Sequence, residues 1–219
     1  MIEMQDGSPS AAEQKREIYI EPATPRGSLL YRMCKRTFDV LASLTLGLVL
    51  LPLLLILALA IRLDSPGPAL YRQERLGRGG KPFWILKFRT MHTWAEDAGP
   101  KWANTDDERC TRLGGKLRRL RLDELPQLWN ILIGQMSFVG PRPERPYFHE
   151  EFEAYIHGFS HRLAVKPGLT GLAQVTSTEL EAEEKIVYDM EYIRTRSLWL
   201  DLKLMILTVG AVCKRRSKE

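Results

Sequence analysis

The longest apolar run of the chain, residues 40–61, reads VLASLTLGLVLLPLLLILALAI and carries no charge. Its length matches the roughly 20 residues that an α-helix needs to cross the core of a bilayer. Pro52 lies in the middle of the run, where it removes a backbone hydrogen bond and disfavours helical geometry at Leu51. The pattern therefore predicts a membrane helix over about residues 38–63 that is broken at Pro52.

Basic residues stand close to both ends of this run, so the positive-inside rule gives no direction of crossing. Two arrangements stay open: a helix that bends near Pro52 and returns to the face it entered, and a kinked helix that spans the bilayer. A buried helix of a soluble protein fits least well, and the run is too long for a signal peptide. The flanking cations are Arg32, Lys35 and Arg36 before the run, and Arg62, Arg72, Arg75 and Arg78 after it.

Short segments beyond the apolar run predict a β-hairpin. One strand is expected around residues 70–72 and another at residues 83–88, joined by a glycine-rich turn at residues 77–80. These glycines match neither a Walker A nor a Rossmann pattern, so we interpret them as turn residues. Residues 92–110 are polar and acidic, and they predict a loop or a short helix.

Helical patterns dominate the second half of the chain. A basic helix is predicted at residues 113–120, another from Asp123 through Leu132, and a charged helix at residues 179–196. Residues 197–216 combine Trp199 with a continuous apolar face and terminal cations, which is typical of a helix at a membrane interface. A buried core helix fits the same segment equally well.

Length and composition bound the organisation of the chain. With 219 residues and 25.2 kDa, it accommodates one sizeable core rather than several domains. Residues 1–30 are polar, contain Pro and Gly and lack an apolar period, so we expect a flexible N-terminal extension followed by a single domain over residues 31–219. The net charge of +5 and the pI near 9.1 indicate an anionic partner, without distinguishing nucleic acid, acidic lipid and phosphorylated small molecules.

The cysteines and histidines predict neither a disulfide framework nor a transition-metal site. Cys34, Cys110 and Cys213 are far apart and odd in number, as is typical of reduced cytosolic thiols. The histidines form no H-E-x-x-H pattern, and the pair His157 and His161 lacks a third ligand.

The segment RRLRLDELPQLWN, residues 118–130, places two adjacent carboxylates behind three arginines. One interpretation is structural: Asp is a preferred helix N-cap, so Asp123 opens a helix whose dipole Glu124 complements. The other is chemical, because a carboxylate is a recognised nucleophile and Mg²⁺ is usually bound by one or two carboxylates together with substrate phosphates. The segment alone leaves both open.

Arg142 lies between Pro141 and Pro143 in SFVGPRPERP. The two prolines restrict the backbone and favour an extended presentation of the guanidinium. A guanidinium can bind phosphate oxygens in bidentate geometry, which a lysine cannot. Arg142 is therefore a candidate anion ligand, although a rigid surface loop without a ligand has the same pattern.

Six motifs follow one another along the chain: KRTFDV, RQERLG, LKFRTM, LRLDELPQLWNIL, MSFVGPRP and KPGLTGLAQV. In this order and spacing, from about residue 31 to residue 212, they resemble the bacterial sugar transferases, the monotopic polyprenyl-phosphate phosphoglycosyl transferases. The resemblance implies an enzyme that moves a sugar 1-phosphate from a UDP-sugar, such as UDP-glucose or UDP-galactose, to polyprenyl (undecaprenyl) phosphate and releases UMP. That transfer would be the first membrane step of polysaccharide or glycoconjugate synthesis.

The resemblance also implies that the broken helix is re-entrant. The expected fold is then α+β and mainly helical, with a re-entrant broken membrane helix, a small β-hairpin and interfacial amphipathic helices. Because nucleotide sugars are cytosolic, the protein would be monotopic on the cytoplasmic face of the bacterial inner membrane, in contact with membrane lipids. A homo-oligomer is left open, and nucleic acid is not an expected partner because the chain has a membrane run and no recognised binding motif.

By resemblance, the catalytic pair is Asp123 and Glu124, with Asp123 as the covalent nucleophile and both carboxylates as Mg²⁺ ligands. Arg118 matches a phosphate-binding position of the family. Arg142 is the second anion ligand that we select, and Lys87 and Arg89 in LKFRTM are further candidates for binding the substrate phosphates.

The sequence departs from the family pattern after Val175, where many members continue Asn-Gly-Arg and this chain has Thr-Ser-Thr followed by an acidic run over residues 179–184. Nucleotide or sugar contacts are therefore not carried over to residues 176–184. Two rival functions stay open: a membrane-anchored scaffold without enzymatic activity, and the same transfer without a covalent step. The donor sugar and the prenyl length do not follow from the sequence.

Overall fold

A computed structural model describes residues 17–102, 107–177 and 180–216, with the backbone alone for residues 212–216. The described part is mostly helical with small strands, which confirms the expected α+β, mainly helical class. The helices are α1 (Leu29–Val49), α2 (Leu51–Asp64), α3 (Arg112–Arg119), α4 (Gln127–Leu132), α5 (Pro146–Glu153), α6 (Leu172–Thr176), α7 (Ala182–Thr195) and α8 (Leu198–Arg216). The strands are β1 (Ile18–Tyr19), β2 (Leu70–Leu76), β3 (Pro82–Phe88), β4 (Ser137–Val139), β5 (Ile156–His157) and β6 (Gly168–Thr170), and short 3₁₀ helices cover Arg78–Gly80, Leu122–Glu124 and Phe159–Ala164.

The apolar run forms two helices, α1 and α2, that meet at Leu50 at an angle of 62°. Pro52 lies in the first turn of α2, where its missing N–H would have no helical partner, so the proline starts a helix instead of interrupting one. The predicted break at Pro52 is confirmed. In the described part of the chain no single helix is both long and apolar enough to cross a bilayer, whereas α1 and α2 taken together meet that test by length and composition.

Large apolar side chains cover the outer surfaces of α1 and α2, among them Leu41, Leu48, Leu55, Ile56 and Leu59. A contiguous apolar surface of this kind marks a contact with a membrane or a partner. The first half of α1 is tied to the rest of the domain by polar contacts. Arg36 donates to the carbonyl oxygens of Ile131 and Leu132 at the end of α4, each at 2.7 Å, and the buried Asp39 accepts from Ser137 and Phe138.

The hairpin is formed by β2 and β3, which pair antiparallel from Leu70 opposite Phe88 to Leu76 opposite Pro82. Phe83, Ile85 and Phe88 of β3 are buried. The turn contains Gly79 at φ 68° and Gly80 at φ 74°, a left-handed conformation that glycine adopts without strain. The predicted hairpin is confirmed, and its first strand is four residues longer than expected because it continues to Leu76.

One core packs β3, α4, β4 and the long helix α7 together. In α7, Ile186, Met190 and Ile193 are buried at the i, i+4, i+7 spacing of one helical face. Helix α8 turns Leu204 into this core and leaves Trp199 and Ile206 largely exposed. Its Asp201 is buried and accepts hydrogen bonds from Tyr31 (2.9 Å), Lys35 (2.8 Å) and Tyr192 (2.8 Å), which fastens α8 to α1 and α7.

Strands β4 and β6 run parallel, with Ser137 opposite Gly168 and Val139 opposite Thr170. A Cβ atom added at Gly168 would lie 2.1 Å from the backbone nitrogen of Gly140, and one added at Gly140 would lie 2.4 Å from the carbonyl oxygen of Lys166. Only glycine permits backbones to approach so closely. The motifs MSFVGPRP and KPGLTGLAQV, at residues 136–143 and 166–175, are therefore partners in one contact.

Residues 17–28 lie on the domain, which corrects the boundary predicted at residue 31. Strand β1 pairs parallel with β5, Ile18 opposite Ile156, and Ile18 and Ala23 pack against the core. A strand of two residues is too short to show an apolar period, which is why the sequence pattern missed it. Residues 1–16 of the predicted extension lie outside the described residues.

Candidate active site

The two adjacent carboxylates lie in the connection between α3 and α4. Helix α3 is capped by Thr111, whose hydroxyl accepts from the backbone N–H of Gly114 at 2.9 Å. After α3, Arg121 adopts φ 58°, a left-handed conformation that is uncommon for any residue except glycine. It turns the chain into the 3₁₀ helix Leu122–Glu124, in which Asp123 and Glu124 are both buried, at 8% and 7% exposure.

The predicted helix from Asp123 through Leu132 is wrong at its beginning. Helix α4 starts at Gln127, with Pro126 at the N-cap and no capping side chain. Arg121 is left-handed and residues 122–124 form a 3₁₀ turn, so α4 cannot begin at Asp123. Asp123 is therefore not a helix cap, and the structural interpretation of the pair loses its basis.

Glu124 is surrounded by cations. One of its oxygens accepts from Arg142 Nη2 at 2.6 Å and lies 3.7 Å from Lys87 Nζ, and the other lies 3.9 Å from Arg121 Nη1. Burial opposes ionisation of this carboxyl, but the fields of Arg142 and Lys87 outweigh it and hold the pKa of Glu124 well below its usual range. Glu124 is therefore a fixed negative charge.

The surroundings of the Asp123 carboxylate differ from those of Glu124. Within residues 17–102, 107–177 and 180–216 no group donates a hydrogen bond to its carboxylate. Burial, and then the charge of Glu124, raise the pKa of Asp123, and the nearby Lys87 and Arg142 lower it in part. The Asp123 oxygens are not sealed from solvent, so a ligand can supply the hydrogen bonds that the described residues do not.

Asp123 opens onto a cavity of about 500 Å³. The cavity lies between the hairpin, α3, α7 and the Pro-Arg-Pro segment, by which we mean residues 141–144. Lysines and arginines outnumber acidic residues along its walls, so the cavity is suited to anions. Burial lowers the pKa of Lys87 to about 8, and Glu124 opposes that shift. The cationic residues of the walls are Arg75, Lys87, Arg89, Lys101, Arg109, Arg118, Arg121, Arg142, Arg145, Arg162 and Lys185, and the acidic ones are Glu96, Asp123, Glu144 and Asp189.

The structure brings together most of the residues proposed from the sequence. Lys87 and Arg142 both contact Glu124, and Arg118 lies on the cavity wall at the end of α3 with its guanidinium 3.1 Å from the sulfur of Cys110. Arg142 extends from its loop into the cavity, where it contacts Glu124 and keeps about a third of its side chain exposed.

Arg89 does not join this group. Its guanidinium donates to the carbonyl oxygens of Ile61, Ser65 and Pro66 and to the hydroxyl of Ser65, all at the carboxyl end of α2. Cations are favoured at that end of a helix, where the last carbonyls have no helical partner. Arg89 is thus engaged in holding the end of α2 against β3, although part of it borders the cavity.

The two carboxylates also fit Mg²⁺, which binds oxygen ligands and usually takes one or two carboxylates with substrate phosphates. The carboxylate of Asp123, which accepts no hydrogen bond from the described part of the chain, is the better available ligand, because the Glu124 oxygens already face three cations. In the described residues no cluster of three or more His, Cys, Asp or Glu side chains is present that could hold a metal ion by itself. A metal here would depend on oxygens from the substrate.

Comparison with known proteins decides the family. The sequence pattern described as "Bacterial sugar transferase" matches residues 30–215, which is most of the chain. The chain belongs to the bacterial sugar transferase family. The matched region contains every residue of the cavity wall, from Pro68 to Asp189.

Several curated members of this sugar transferase family are similar in sequence. A Caulobacter vibrioides protein named UDP-glucose:undecaprenyl-phosphate glucose-1-phosphate transferase is 45% identical over 199 residues, covering 88% of this chain and 74% of the relative. An Escherichia coli K12 protein of the same name is 42% identical over 81% of this chain and 40% of its own length. An Aeromonas hydrophila protein named UDP-N-acetylgalactosamine-undecaprenyl-phosphate N-acetylgalactosaminephosphotransferase is 41% identical over 85% of this chain and 46% of its own.

Sequence reasoning missed four charged residues beside the cavity: the partly buried Arg75 and the buried Glu144, Arg162 and Asp189. Glu144 lies 3.8 Å from both Arg75 and Arg162, and Asp189 lies 2.6 Å from Arg162. They come from β2, the Pro-Arg-Pro segment, a 3₁₀ helix and α7. No local pattern connects residues so far apart, and a charged residue inside an apolar helical face, such as Asp189 in α7, is the one signal that the sequence offered.

Proposed function

We propose that this chain transfers a sugar 1-phosphate from a UDP-sugar to undecaprenyl phosphate and releases UMP. The observation that carries the proposal is the buried Asp123 carboxylate, to which none of the described residues donates a hydrogen bond, at the wall of a cavity rich in lysine and arginine. Donor and acceptor are both phosphates, so such a cavity supports binding them, and relatives at 41–45% identity are named for this kind of transfer.

In the proposed reaction an oxygen of Asp123 attacks the phosphorus that carries the sugar. The bond from that phosphorus to the bridging oxygen breaks, and UMP leaves with the bonding electrons. A phosphosugar then remains on Asp123 as an acyl phosphate. A phosphate oxygen of undecaprenyl phosphate attacks the same phosphorus, which restores the Asp123 carboxylate and yields undecaprenyl diphosphate sugar.

The fixed charges around Asp123 support the first step. Arg142 and Lys87 are positioned to neutralise the diphosphate oxygens, because both side chains face the cavity from the side of Glu124. Arg118 at the end of α3 provides a further guanidinium for phosphate oxygens. Glu124 holds Arg142 and Lys87 in place, and its own ionisation is assured by them.

We also propose that Mg²⁺ binds with the substrate, held by Asp123 and Glu124 together with diphosphate oxygens. Bound there, the ion would neutralise charge that develops on the phosphates and orient them. The protein groups would still perform the positioning, because Asp123 is the group that must lie against the sugar-bearing phosphorus.

The bent pair α1 and α2 supports a re-entrant position in the membrane. A bend of 62° at Leu50, with large apolar side chains on the outer faces of both helices, suits a wedge that enters and leaves by one bilayer face. Nucleotide sugars are cytosolic, so the proposed location is the cytoplasmic face of the bacterial inner membrane. The exposed Trp199 and Ile206 of α8 suit the interface with lipid.

The proposed function is tested by measuring UMP release from purified, detergent-solubilised protein with Mg²⁺ and undecaprenyl phosphate. UDP-glucose is the first donor to test because two of the relatives described above are named for it; UDP-galactose and UDP-N-acetylgalactosamine complete the panel. We expect UMP and undecaprenyl diphosphate sugar in equal amounts with at least one donor. A folded sample that forms neither product with any UDP-sugar would disprove the proposal.

Arg89→Lys is expected to destabilise the protein without weakening donor binding. A lysine cannot reproduce the set of hydrogen bonds to Ile61, Ser65 and Pro66. Loss of charge-assisted hydrogen bonds should lower the melting temperature by about 5 °C, while the KM for the donor changes by less than about twofold. Thermal unfolding and steady-state kinetics check this. An unchanged melting temperature with a strongly raised KM would show that Arg89 binds the substrate instead of stabilising the end of α2.

A further inference from the structure

The backbone of the Pro-Arg-Pro segment is held at four consecutive carbonyl groups, residues 141–144. The donors come from three parts of the fold, because Arg75 and Leu76 both belong to β2. The donors are the N–H of Gly168 to Pro141 (2.9 Å), the guanidinium of Arg162 to Arg142 (2.9 Å), the guanidinium of Arg75 to Pro143 (2.9 Å) and the N–H of Leu76 to Glu144 (3.0 Å).

Arg162 has little capacity left for a substrate. Its Nε and Nη2 donate to Asp189 at 2.8 and 2.6 Å, and Nη2 also donates to the carbonyl oxygen of Arg142. Its Cζ atom lies 4.8 Å from the centre of the Phe159 ring. Side-chain exposure is 3% for Arg162 and 2% for Asp189. A buried ion pair of this kind is weak evidence for stability, because desolvation offsets the attraction, and it calls for another explanation.

We propose that Asp189 and Arg162 are positioning residues for the transfer reaction: Asp189 fixes Arg162, and Arg162 fixes the backbone from which Arg142 reaches Glu124 and the diphosphate. The inference rests on the proposed function and deepens it. Glu144, between Arg162 and Arg75 at 3.8 Å from each, joins the two guanidinium groups that hold neighbouring carbonyls.

The geometry of Arg142 explains why its backbone must be fixed. The contact from Arg142 Nη2 to Glu124 is 2.6 Å long, and about a third of the Arg142 side chain stays open to the cavity. A guanidinium that must hold Glu124 and meet phosphate oxygens at once has little tolerance for a shift of its backbone. The flanking prolines restrict the local dihedral angles, and the four carbonyl contacts fix the segment relative to Asp123.

The test is a double-mutant cycle between Asp189→Asn and Arg142→Lys, with kcat/KM measured from UMP release. Asp189 is the first choice because its hydrogen bonds in the described structure go to Arg162, and its charge repels a diphosphate. We expect Asp189→Asn to lower kcat/KM about 20-fold in the wild-type background and less than about threefold beside Arg142→Lys, since residues of one network are not additive.

Asp201→Asn is the matched control. Asp201 is similarly buried and is paired with Lys35 at 2.8 Å; it joins α8 to α1 and α7 and does not contact Arg162. Its substitution removes the same kind of ion pair, so any general loosening of the fold should appear in it as well. We expect Asp201→Asn to change kcat/KM by the same factor with and without Arg142→Lys.

Arg162→Lys takes the place of Asp189→Asn if the latter does not purify as folded protein, with the same expectation. Equal factors for Asp189→Asn or Arg162→Lys in both backgrounds would overturn the inference and leave the proposed function intact. Absence of UMP from the wild-type protein with every donor would overturn the proposed function and the inference with it.

Discussion

Asp123→Asn is expected to abolish the transfer, lowering kcat by about 10⁴-fold or more, as removal of a covalent nucleophile does in other enzymes. The amide is a far weaker nucleophile than the carboxylate that it replaces. Protein stability should not fall with activity, since in the described structure no group donates a hydrogen bond to Asp123 and its ionised form is opposed by burial and by Glu124.

The decisive measurement is made without acceptor. If Asp123 is the nucleophile, wild-type protein mixed with donor and Mg²⁺ but no undecaprenyl phosphate should release about one UMP per enzyme and gain the mass of one phosphosugar. Asp123→Asn should do neither. Wild-type protein that needs the acceptor for any UMP release, and never carries the adduct, would favour direct transfer between the two phosphates.

Asp97→Asn provides the control for this substitution. Asp97 is an exposed carboxylate in the segment between β3 and α3, away from Glu124 and its cations. The Asp97→Asn substitution removes the same charge at a residue that has no part in the proposed reaction. We therefore expect activity within about twofold of wild type. Substantial transfer by folded Asp123→Asn would contradict the assignment of the nucleophile, whatever Asp97→Asn does.

Gly114→Ala is expected to destabilise the protein by about 3 kcal/mol or more, at the upper end of overpacking effects. A Cβ atom at residue 114 would lie 2.0 Å from the carbonyl oxygen of Thr90 and 2.6 Å from its carbonyl carbon. These are backbone atoms, so α3 itself must move away from β3. Arg118, one turn further along α3, would move with it, and activity should fall together with the melting temperature.

The adjacent glycine gives an internal comparison. A Cβ atom at Gly115 meets nothing within 4 Å, and the residue lies inside the same helix. Gly115→Ala should therefore stabilise the protein by about 0.5–1 kcal/mol, because alanine loses less conformational entropy in a helix. Thermal unfolding of the two variants side by side checks both expectations. Equal stability of Gly114→Ala and Gly115→Ala would show that α3 is not packed against Thr90 as described.

Features set by neighbouring residues were predictable from the sequence. The break at Pro52, the β2–β3 hairpin and the basic helix α3 each depend on local backbone chemistry, namely a proline, turn glycines and helical periodicity. The presence of Asp123, Glu124, Arg118, Arg142 and Lys87 at one cavity could be expected only through the resemblance of six ordered motifs to a family.

Features set by distant residues were not predictable. The helix expected to start at Asp123 starts at Gln127 because Arg121 takes a left-handed conformation, which its side chain does not signal. Arg89 belongs to the end of α2, more than twenty residues earlier, and only the packing of α2 on β3 shows this. The pairing of Arg162 with Asp189 likewise joins two segments that have no common pattern.

The two hydrogen bonds from Arg36 to the end of α4 have a mechanical consequence. Glu124 and Arg36 are far apart in sequence, yet α4 begins three residues after Glu124 and ends at the carbonyls that Arg36 holds. At 1.5 Å per residue a helix of this length is about 9 Å long, so the path from α1 to the carboxylates is short and stiff. In the proposed membrane position of α1, a tilt on transfer from a bilayer to a micelle would be passed through α4 to the carboxylates, so activity would depend on the detergent that is chosen.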